Sequence, residues 1–141
     1  MQLYLDFIIA HPILFAALAV VAALLVANEV HGNLTGGKRL SIPEAVRLIN
    51  DREPLIVDVR TVADFKRSHL LNALNIPLAK LEERATELGR DKSRPILVYD
   101  ALGSSAGEAA DKLKKLGHAE AYPLRGGINS WLGASLPVTA K

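Results

Sequence analysis

The sequence of 141 residues predicts an α/β domain with a central, mainly parallel sheet that is covered by helices on both faces and preceded by one transmembrane helix. In its second part, short β-branched apolar runs alternate with amphipathic helical segments, which is the order typical of a parallel sheet. Its first part is an uncharged apolar stretch long enough to cross a bilayer. We therefore divide the chain into an N-terminal anchor (1–30), a flexible linker (31–38) and a folded domain (39–140).

The apolar stretch 7–27 contains no Lys, Arg, Asp or Glu. At a rise of about 1.5 Å per residue it reaches roughly 32 Å, the thickness of the hydrocarbon core, so we expect it to contact the lipid bilayer. A cleaved signal peptide would carry a basic segment first, whereas the six residues before Phe7, MQLYLD, hold one acid and no base. All 17 Lys and Arg residues lie at Lys38 or later, which predicts an N-terminus outside and a domain in the cytoplasm.

Three small residues of this stretch, Ala19, Ala23 and Ala27, recur at every fourth position. Such a row lets a second membrane helix approach closely, so these alanines are candidates for a helix–helix contact. A segment this rich in alanine also produces such rows by chance, and the sequence leaves both interpretations open.

Composition excludes several classes of function. The net charge is +2 with three Phe, three Tyr and one Trp, and no basic stripe is interleaved with aromatic residues, so we expect no nucleic-acid partner. The chain has no cysteine, which excludes disulfides, thiolate metal sites and thiol catalysis by its own residues. His69 and His118 have no second ligand at a metal-binding spacing, so we predict neither a metal nor a cofactor.

The folded domain is predicted to begin with a helix opened by the capping box Ser41-Ile42-Pro43-Glu44. A second capping box, Ser105-Ala106-Gly107-Glu108, is predicted to open a helix that ends before Gly117. Buried strands are expected from their β-branched apolar runs, and further helices from apolar periodicity. The strands are predicted at 55–59, 73–76, 96–99 and 119–124, and the helices at 61–67, 78–88 and 128–132.

Five short motifs follow one another in the second part of the chain. They are Ile56-Val57-Asp58-Val59-Arg60, Ser68-His69-Leu70, Ala73-Leu74-Asn75-Ile76-Pro77, Ile96-Leu97-Val98-Tyr99 and Leu124-Arg125-Gly126-Gly127-Ile128-Asn129-Ser130-Trp131. In this order they resemble the motifs of a single rhodanese-like domain. The chain with its anchor is similar to the small rhodanese-like proteins of the inner membrane of Gram-negative bacteria.

The resemblance implies a nucleophilic cysteine directly after the run that ends at Tyr99, in a loop whose backbone N–H groups stabilise its thiolate and persulfide. Here that position is Asp100, and the loop Asp100-Ala101-Leu102-Gly103-Ser104-Ser105 contains no Lys or Arg. A carboxylate cannot form a persulfide, and it repels anionic sulfur donors. The resemblance also implies that Asp58 and Arg60 support the loop as an ion pair beside it.

From these residues we predict a catalytically inactive domain that serves as a protein-binding or adaptor module. It would act at the cytoplasmic face of the bacterial inner membrane, on unidentified membrane or cytoplasmic protein partners. One alternative is a sulfur-trafficking platform that works with a cysteine of its partner. A second alternative is a hydrolase in which Asp100 is the nucleophile or the general base.

Overall fold

The computed structural model describes residues 1–35 and 37–140, and its contacts divide the chain into two compact units, Met1–Thr35 and Gly36–Lys141. The first unit consists of two helices, α1 (Gln2–Ala10) and α2 (Pro12–Thr35), which are separated by His11. Proline suits the first position of α2 because the N–H group that it lacks has no acceptor within the helix there.

Helix α2 contains the described segment that is long and apolar enough to cross a membrane, Pro12–His31. The predicted span 7–27 therefore begins in α1 and ends within α2. An N-terminal signal sequence has the same length and composition, so these two properties alone do not identify an anchor. Ala19, Ala23 and Ala27 lie along one side of α2, and their contact with another helix stays a prediction.

The structure differs from the predicted linker 31–38 because α2 continues to Thr35. The segment 31–35 contains no proline, and a single glycine, Gly32, lowers the stability of a helix without ending it. Gly36 lies outside the described residues, and residues 37–39 have no regular secondary structure.

The second unit alternates helices and strands, with two 3-10 helices before its third parallel strand. Its elements are α3 (Ile42–Arg52), β1 (Leu55–Asp58), α4 (Val62–Arg67), β2 (His69–Leu70), β3 (Ala73–Asn75), the 3-10 helices Leu78–Lys80 and Ala85–Leu88, β4 (Ile96–Tyr99), α5 (Ala106–Lys115), β5 (Ala121–Pro123), α6 (Gly127–Gly133) and β6 (Val138–Thr139).

The central sheet is parallel and has the strand order β3-β1-β4-β5. Adjacent residues of each central strand point to opposite faces, and both faces are buried. Val57 and Val98 belong to the hydrophobic cluster on one face, and Ile56 and Leu97 to the cluster on the other. The predicted fold class, a mainly parallel sheet covered on both sides, is therefore confirmed.

The predicted helix at 78–88 is wrong, because this segment forms two 3-10 helices joined by turns. Leu81 and Leu88 are buried as its periodicity requires, at 0% and 4% exposure. Apolar residues three positions apart, such as Leu78 and Leu81, share a face in a 3-10 helix as they do in an α-helix, so this spacing does not distinguish the two. Gly89, with φ of 82°, ends the segment.

A small antiparallel sheet of β2 and β6 was not predicted. It pairs His69 with Thr139 and Leu70 with Val138. Each strand is two residues long, which is too short for alternation of polar and apolar residues to be recognised in a sequence. This pairing brings the end of the second unit back beside the segment that follows β1 and α4.

His118 is a buried polar residue of this unit with no exposed surface. Its Nε2 lies 3.5 Å from Lys92 Nζ, and Lys92 Nζ donates to the carbonyl of Leu116 at 2.7 Å. Within the described residues, His118 Nδ1 has no hydrogen-bond partner. Burial, followed by the charge of Lys92, lowers the pKa of His118 below its ordinary value of 6.5.

We expect the second unit to lose stability as the pH falls below about 6.5. In that range His118 binds a proton in the unfolded chain but stays neutral in the folded one, because its pKa is lowered there. The loss is at most about 1.4 kcal/mol per pH unit for one proton. Urea unfolding of residues 36–141 between about pH 7.5 and pH 5.5 measures it, above the range in which ordinary carboxylates titrate. The variant His118→Gln should flatten this dependence, and an unchanged slope in that variant would contradict the assignment to His118.

Candidate functional site

The candidate site lies where β1 and β4 end, at the edge of the sheet formed by the carboxyl ends of its parallel strands. Asp58 is the last residue of β1, and Asp100 directly follows β4. The segment from Asp100 to Ser105, which we call the Asp100 loop, connects β4 to the first turn of α5. Ligands of open α/β sheets bind at this edge, so the topology places both acids where a site is expected.

The side chain of Asp100 is turned into its own loop. Oδ1 accepts a hydrogen bond from the backbone N–H of Gly103 at 2.5 Å, and Oδ2 accepts one from the N–H of Ser105 at 2.7 Å. The hydroxyl of Ser104 lies 3.5 Å from Oδ2. Only 5% of Asp100 is exposed. Its carboxylate therefore closes the loop and satisfies N–H groups at the start of α5, where a negative charge is favourable.

The predicted capping box at Ser105 is wrong. Ser105 precedes α5, but its side chain makes no capping hydrogen bond, because its backbone is helical, with φ of −88° and ψ of −22°. A capping side chain needs the extended backbone that Ser41 has before α3, with ψ of 166°. There Ser41 Oγ accepts from the N–H of Glu44 at 3.4 Å, so the first predicted capping box is confirmed. At α5, Asp100 accepts from the backbone N–H of Ser105, the group that Glu108 would accept from in a capping box.

The turn formed by Gly126 and Gly127 contacts the backbone of the Asp100 loop. The carbonyl of Asp100 accepts from the N–H of Ile128 at 2.9 Å. Gly127 has a φ of 62°, and a Cβ there would collide with the Asp100 carbonyl. A Cβ on Gly103 would lie 2.8 Å from the nitrogen of Gly126. Glycine is therefore required on both sides of this contact, because the two backbones touch without side chains between them.

Asp58 and Arg60 form the buried ion pair expected beside the loop. Arg60 Nη2 lies 2.6 Å from Asp58 Oδ2, with side-chain exposures of 10% and 0%. The same nitrogen donates to the carbonyl of Ser68 at 2.6 Å, which ties the end of α4 to the pair. Burial alone would lower the pKa of Arg60, but the hydrogen bond and charge of Asp58 outweigh it and raise that pKa.

Tyr99 connects the ion pair to the small sheet. The Arg60 guanidinium carbon lies 5.6 Å from the centre of the Tyr99 ring, and the phenol oxygen accepts from the N–H of Leu70 at 3.1 Å. Burial, followed by the nearby charge of Asp58, raises the pKa of Tyr99 well above its ordinary value. Tyr99 is therefore a neutral phenol that holds β2 in place and not an acid or base near neutral pH.

Two arginines near the loop were missed by the sequence analysis, which counted only the basic residues within the loop. Arg39 Nη1 donates to the carbonyl of Gly103 at 3.3 Å. The N–H of Arg125 donates to the carbonyl of Leu40 at 2.8 Å, so Arg125 lies where the chain passes beside the end of β5. These contacts join residues 64 and 85 positions apart, and no local pattern could have indicated them.

These contacts fix the conformation of the loop, and they leave the carboxylate of Asp100 poorly placed to react. Both carboxylate oxygens are engaged by N–H groups of the loop. Among residues 1–35 and 37–140, no group of three or more His, Asp or Glu side chains is placed to hold a metal ion. The predicted site residues from Asp100 to Ser105 therefore meet as one loop, with Asp58 and Arg60 at the same edge of the sheet.

Comparison with known proteins gives matches over the whole chain. A family model for the rhodanese-like domain matches residues 41–134. The protein YibN of Escherichia coli K12 is 33% identical over 141 residues, which cover 98% of this chain and 97% of YibN. That match therefore includes the N-terminal apolar helices.

Two further matches are an enzyme and a solved structure. The thiosulfate sulfurtransferase GlpE of Coxiella burnetii is 37% identical over 94 residues, which cover 67% of this chain and 86% of that enzyme. The crystal structure of a rhodanese-related protein from Thermoplasma volcanium is similar with a TM-score of 0.66 at 26% identity. This match covers 74% of the chain and 100% of the Thermoplasma chain.

We expect Asp100→Ala to destabilise the second unit by about 1–3 kcal/mol, because two N–H groups of the loop lose their acceptor. The matched control is Ser105→Ala, which removes a hydroxyl that caps nothing and should cost less than about 0.5 kcal/mol. Urea unfolding of residues 36–141 measures both. Equal losses, or a larger loss for Ser105→Ala, would show that Asp100 does not close the loop.

Proposed function

The chain belongs to the rhodanese-like domain family, and we propose that it is a catalytically inactive member, anchored in the membrane, whose domain binds protein partners. The observation that carries this proposal is the Asp100 carboxylate, whose two oxygens accept from the N–H groups of Gly103 and Ser105. The resemblance within the family assigns a sulfur nucleophile to this position. Here a carboxylate of the same chain takes up N–H groups that would otherwise stabilise a thiolate or a persulfide.

Sulfur transfer through this loop is disfavoured by both chemistry and charge. A carboxylate oxygen cannot carry a sulfane sulfur, and the chain has no cysteine that could replace it. An anionic donor such as thiosulfate at about 4 Å from the carboxylate would be repelled by roughly 4 kcal/mol at an effective dielectric constant of about 20. The charges of Arg39 and Arg125 nearby reduce this repulsion without supplying a nucleophile.

The contacts of Asp100 also disfavour the alternative in which it attacks an ester as a nucleophile. Such a carboxylate needs a lone pair directed at the substrate. Both oxygens of Asp100 point into the loop, and 5% of the residue is exposed. A nucleophilic reaction would first have to open the turn that the same side chain holds closed.

The anchor is supported by the apolar segment Pro12–His31 and by the match to YibN, which extends across it. The first basic residues, Lys38 and Arg39, follow this segment closely. Positive charges stay on the cytoplasmic side during insertion. We therefore assign the domain to the cytoplasmic face of the bacterial inner membrane, with the N-terminus on the other side.

We expect the purified second unit to form no thiocyanate from thiosulfate and cyanide above a buffer control. The sulfurtransferase GlpE of Coxiella burnetii serves as the positive control in the same assay. In the variant Asp100→Cys, the N–H groups of Gly103 and Ser105 should lower the pKa of the new thiol, so that iodoacetamide alkylates it at lower pH than free cysteine. Turnover by the unmodified chain would end the proposal that the domain is inactive.

Partner binding should depend on the small-residue side of α2 if a membrane protein is the partner. We expect Ala23→Leu to weaken cross-linking of the full chain to its partners in native membranes, because a larger side chain prevents close helix approach. Ala17→Leu is the matched control on another side of α2. Partners retained by residues 36–141 alone, and consisting of persulfide-carrying proteins, would instead favour the sulfur-trafficking platform.

A further inference from the structure

A group of basic side chains lies along the start of the second unit, from the Asp100 loop to the last turn of α5. Arg39 donates to the Gly103 carbonyl at 3.3 Å, and its Nη2 would lie 3.4 Å from a Cβ on Gly107. The guanidinium therefore lies against both the loop and the first turn of α5. Lys114 is two turns further along α5, and its ammonium reaches Gly37, where a Cβ would lie 2.5 Å from Nζ.

One more cation and one apolar side chain extend this group. Arg125 is exposed and adjoins the same segment through its bond to Leu40. Leu102, in the middle of the Asp100 loop, is 68% exposed. We call the surface formed by Arg39, Leu102, Lys114 and Arg125 the basic face. Lys38 lies outside it, because its Nζ pairs with Glu44 of α3 at 3.3 Å.

Most of the charge on the basic face is uncompensated. The ion pairs found among residues 1–35 and 37–140 include none at Arg39, Lys114 or Arg125. Asp111, which is half-buried on α5 between Gly107 and Lys114, reduces this charge in part. Asp100 contributes little outward, because it is buried and its oxygens are engaged.

The basic face also follows the apolar helix directly in the sequence. The last helical residue is Thr35, and Gly37, Lys38 and Arg39 come two to four positions later. A helix that spans a bilayer leaves the residues after it at the headgroup layer, where Lys and Arg are attracted to anionic lipids. An exposed leucine among cations fits the same surface, because the headgroup region accepts apolar side chains.

We infer that the basic face binds the phosphate headgroups of an anionic lipid bilayer, with Leu102 reaching between them. This inference rests on the proposed membrane anchor, which supplies the proximity. It gives the domain a defined orientation, in which the side that carries Arg39, Leu102 and Lys114 faces the lipid. Protein partners would then bind surfaces away from this side.

The test uses residues 36–141, which form a compact unit of the chain and hold both hydrophobic clusters. Sedimentation is measured with vesicles of phosphatidylcholine and with vesicles containing about one third phosphatidylglycerol. We expect binding to the anionic vesicles only, and its loss as salt shortens the Debye length from about 10 Å to about 3 Å. Equal binding to both vesicles, or to neither, would overturn the inference.

Single substitutions distinguish binding through the basic face from attraction by the net charge of the whole domain. Arg39→Gln and Lys114→Gln should each weaken binding about fivefold, and Leu102→Ser should weaken it at unchanged charge. Arg39→Lys should restore binding, which distinguishes lost charge from a disturbed loop. Arg90→Gln is the matched control, since Arg90 is exposed and lies before the start of β4, at the other edge of the sheet. An effect of Arg90→Gln as large as that of Lys114→Gln would overturn the inference.

Two competitors at constant ionic strength identify the ligand. Displacement by inorganic phosphate would point to a free-anion site, and displacement by a glutamate-rich peptide would point to an acidic protein; either result would overturn the inference. The anchor is tested separately, by whether the full chain resists alkaline extraction from membranes. Extraction of the full chain with intact vesicle binding by residues 36–141 would refute the anchor while leaving the lipid surface standing.

Discussion

The conformation of the candidate site depends on one carboxylate and the two backbone N–H groups that it accepts from. Asp100 closes the turn between β4 and α5 through Gly103 and Ser105. The cost of burying a charge is offset because these N–H groups and the start of α5 supply partial positive charge. Asp100 thus closes the loop from within, at the position where the family resemblance implies a cysteine nucleophile and the anionic sulfur group that it carries. The rhodanese-like scaffold is retained here, and a carboxylate of the chain itself accepts from the N–H groups of this loop.

Other residues at the same edge of the sheet hold the surroundings of this loop. The Asp58–Arg60 pair fastens the end of α4 through the Ser68 carbonyl, and Tyr99 holds β2 through Leu70. On the opposite side, Gly127 permits the backbone contact that fixes Asp100 against α6. Removing one partner of a buried pair leaves a charge without compensation, so these residues are structural whether or not the domain performs chemistry.

Much of this structure could be predicted from the sequence because its signals are local. The β-branched runs at β1 and β4 and the capping box at Ser41 each act within a few residues. Several predictions failed where contacts between residues distant in the sequence determine the local structure. Ser105 matches a capping pattern, but its backbone N–H donates to Asp100, five positions earlier in the chain. Arg39 reaches the loop across 64 positions. The 3-10 turns at 78–88 share their apolar spacing with a helix, and β2 and β6 are too short to show alternation.

The two carboxylate oxygens of Asp100 hold its loop closed and are not directed toward a substrate. Amide hydrogen exchange at Gly103 and Ser105 tests it most directly, in the unmodified second unit and in Asp100→Ala. We expect these two amides to lose protection from exchange in the variant by more than the amides of Ile96–Tyr99 do, since that strand reports the change in global stability. Equal changes at the loop and the strand, or no protection at Gly103 and Ser105 in the unmodified domain, would contradict it.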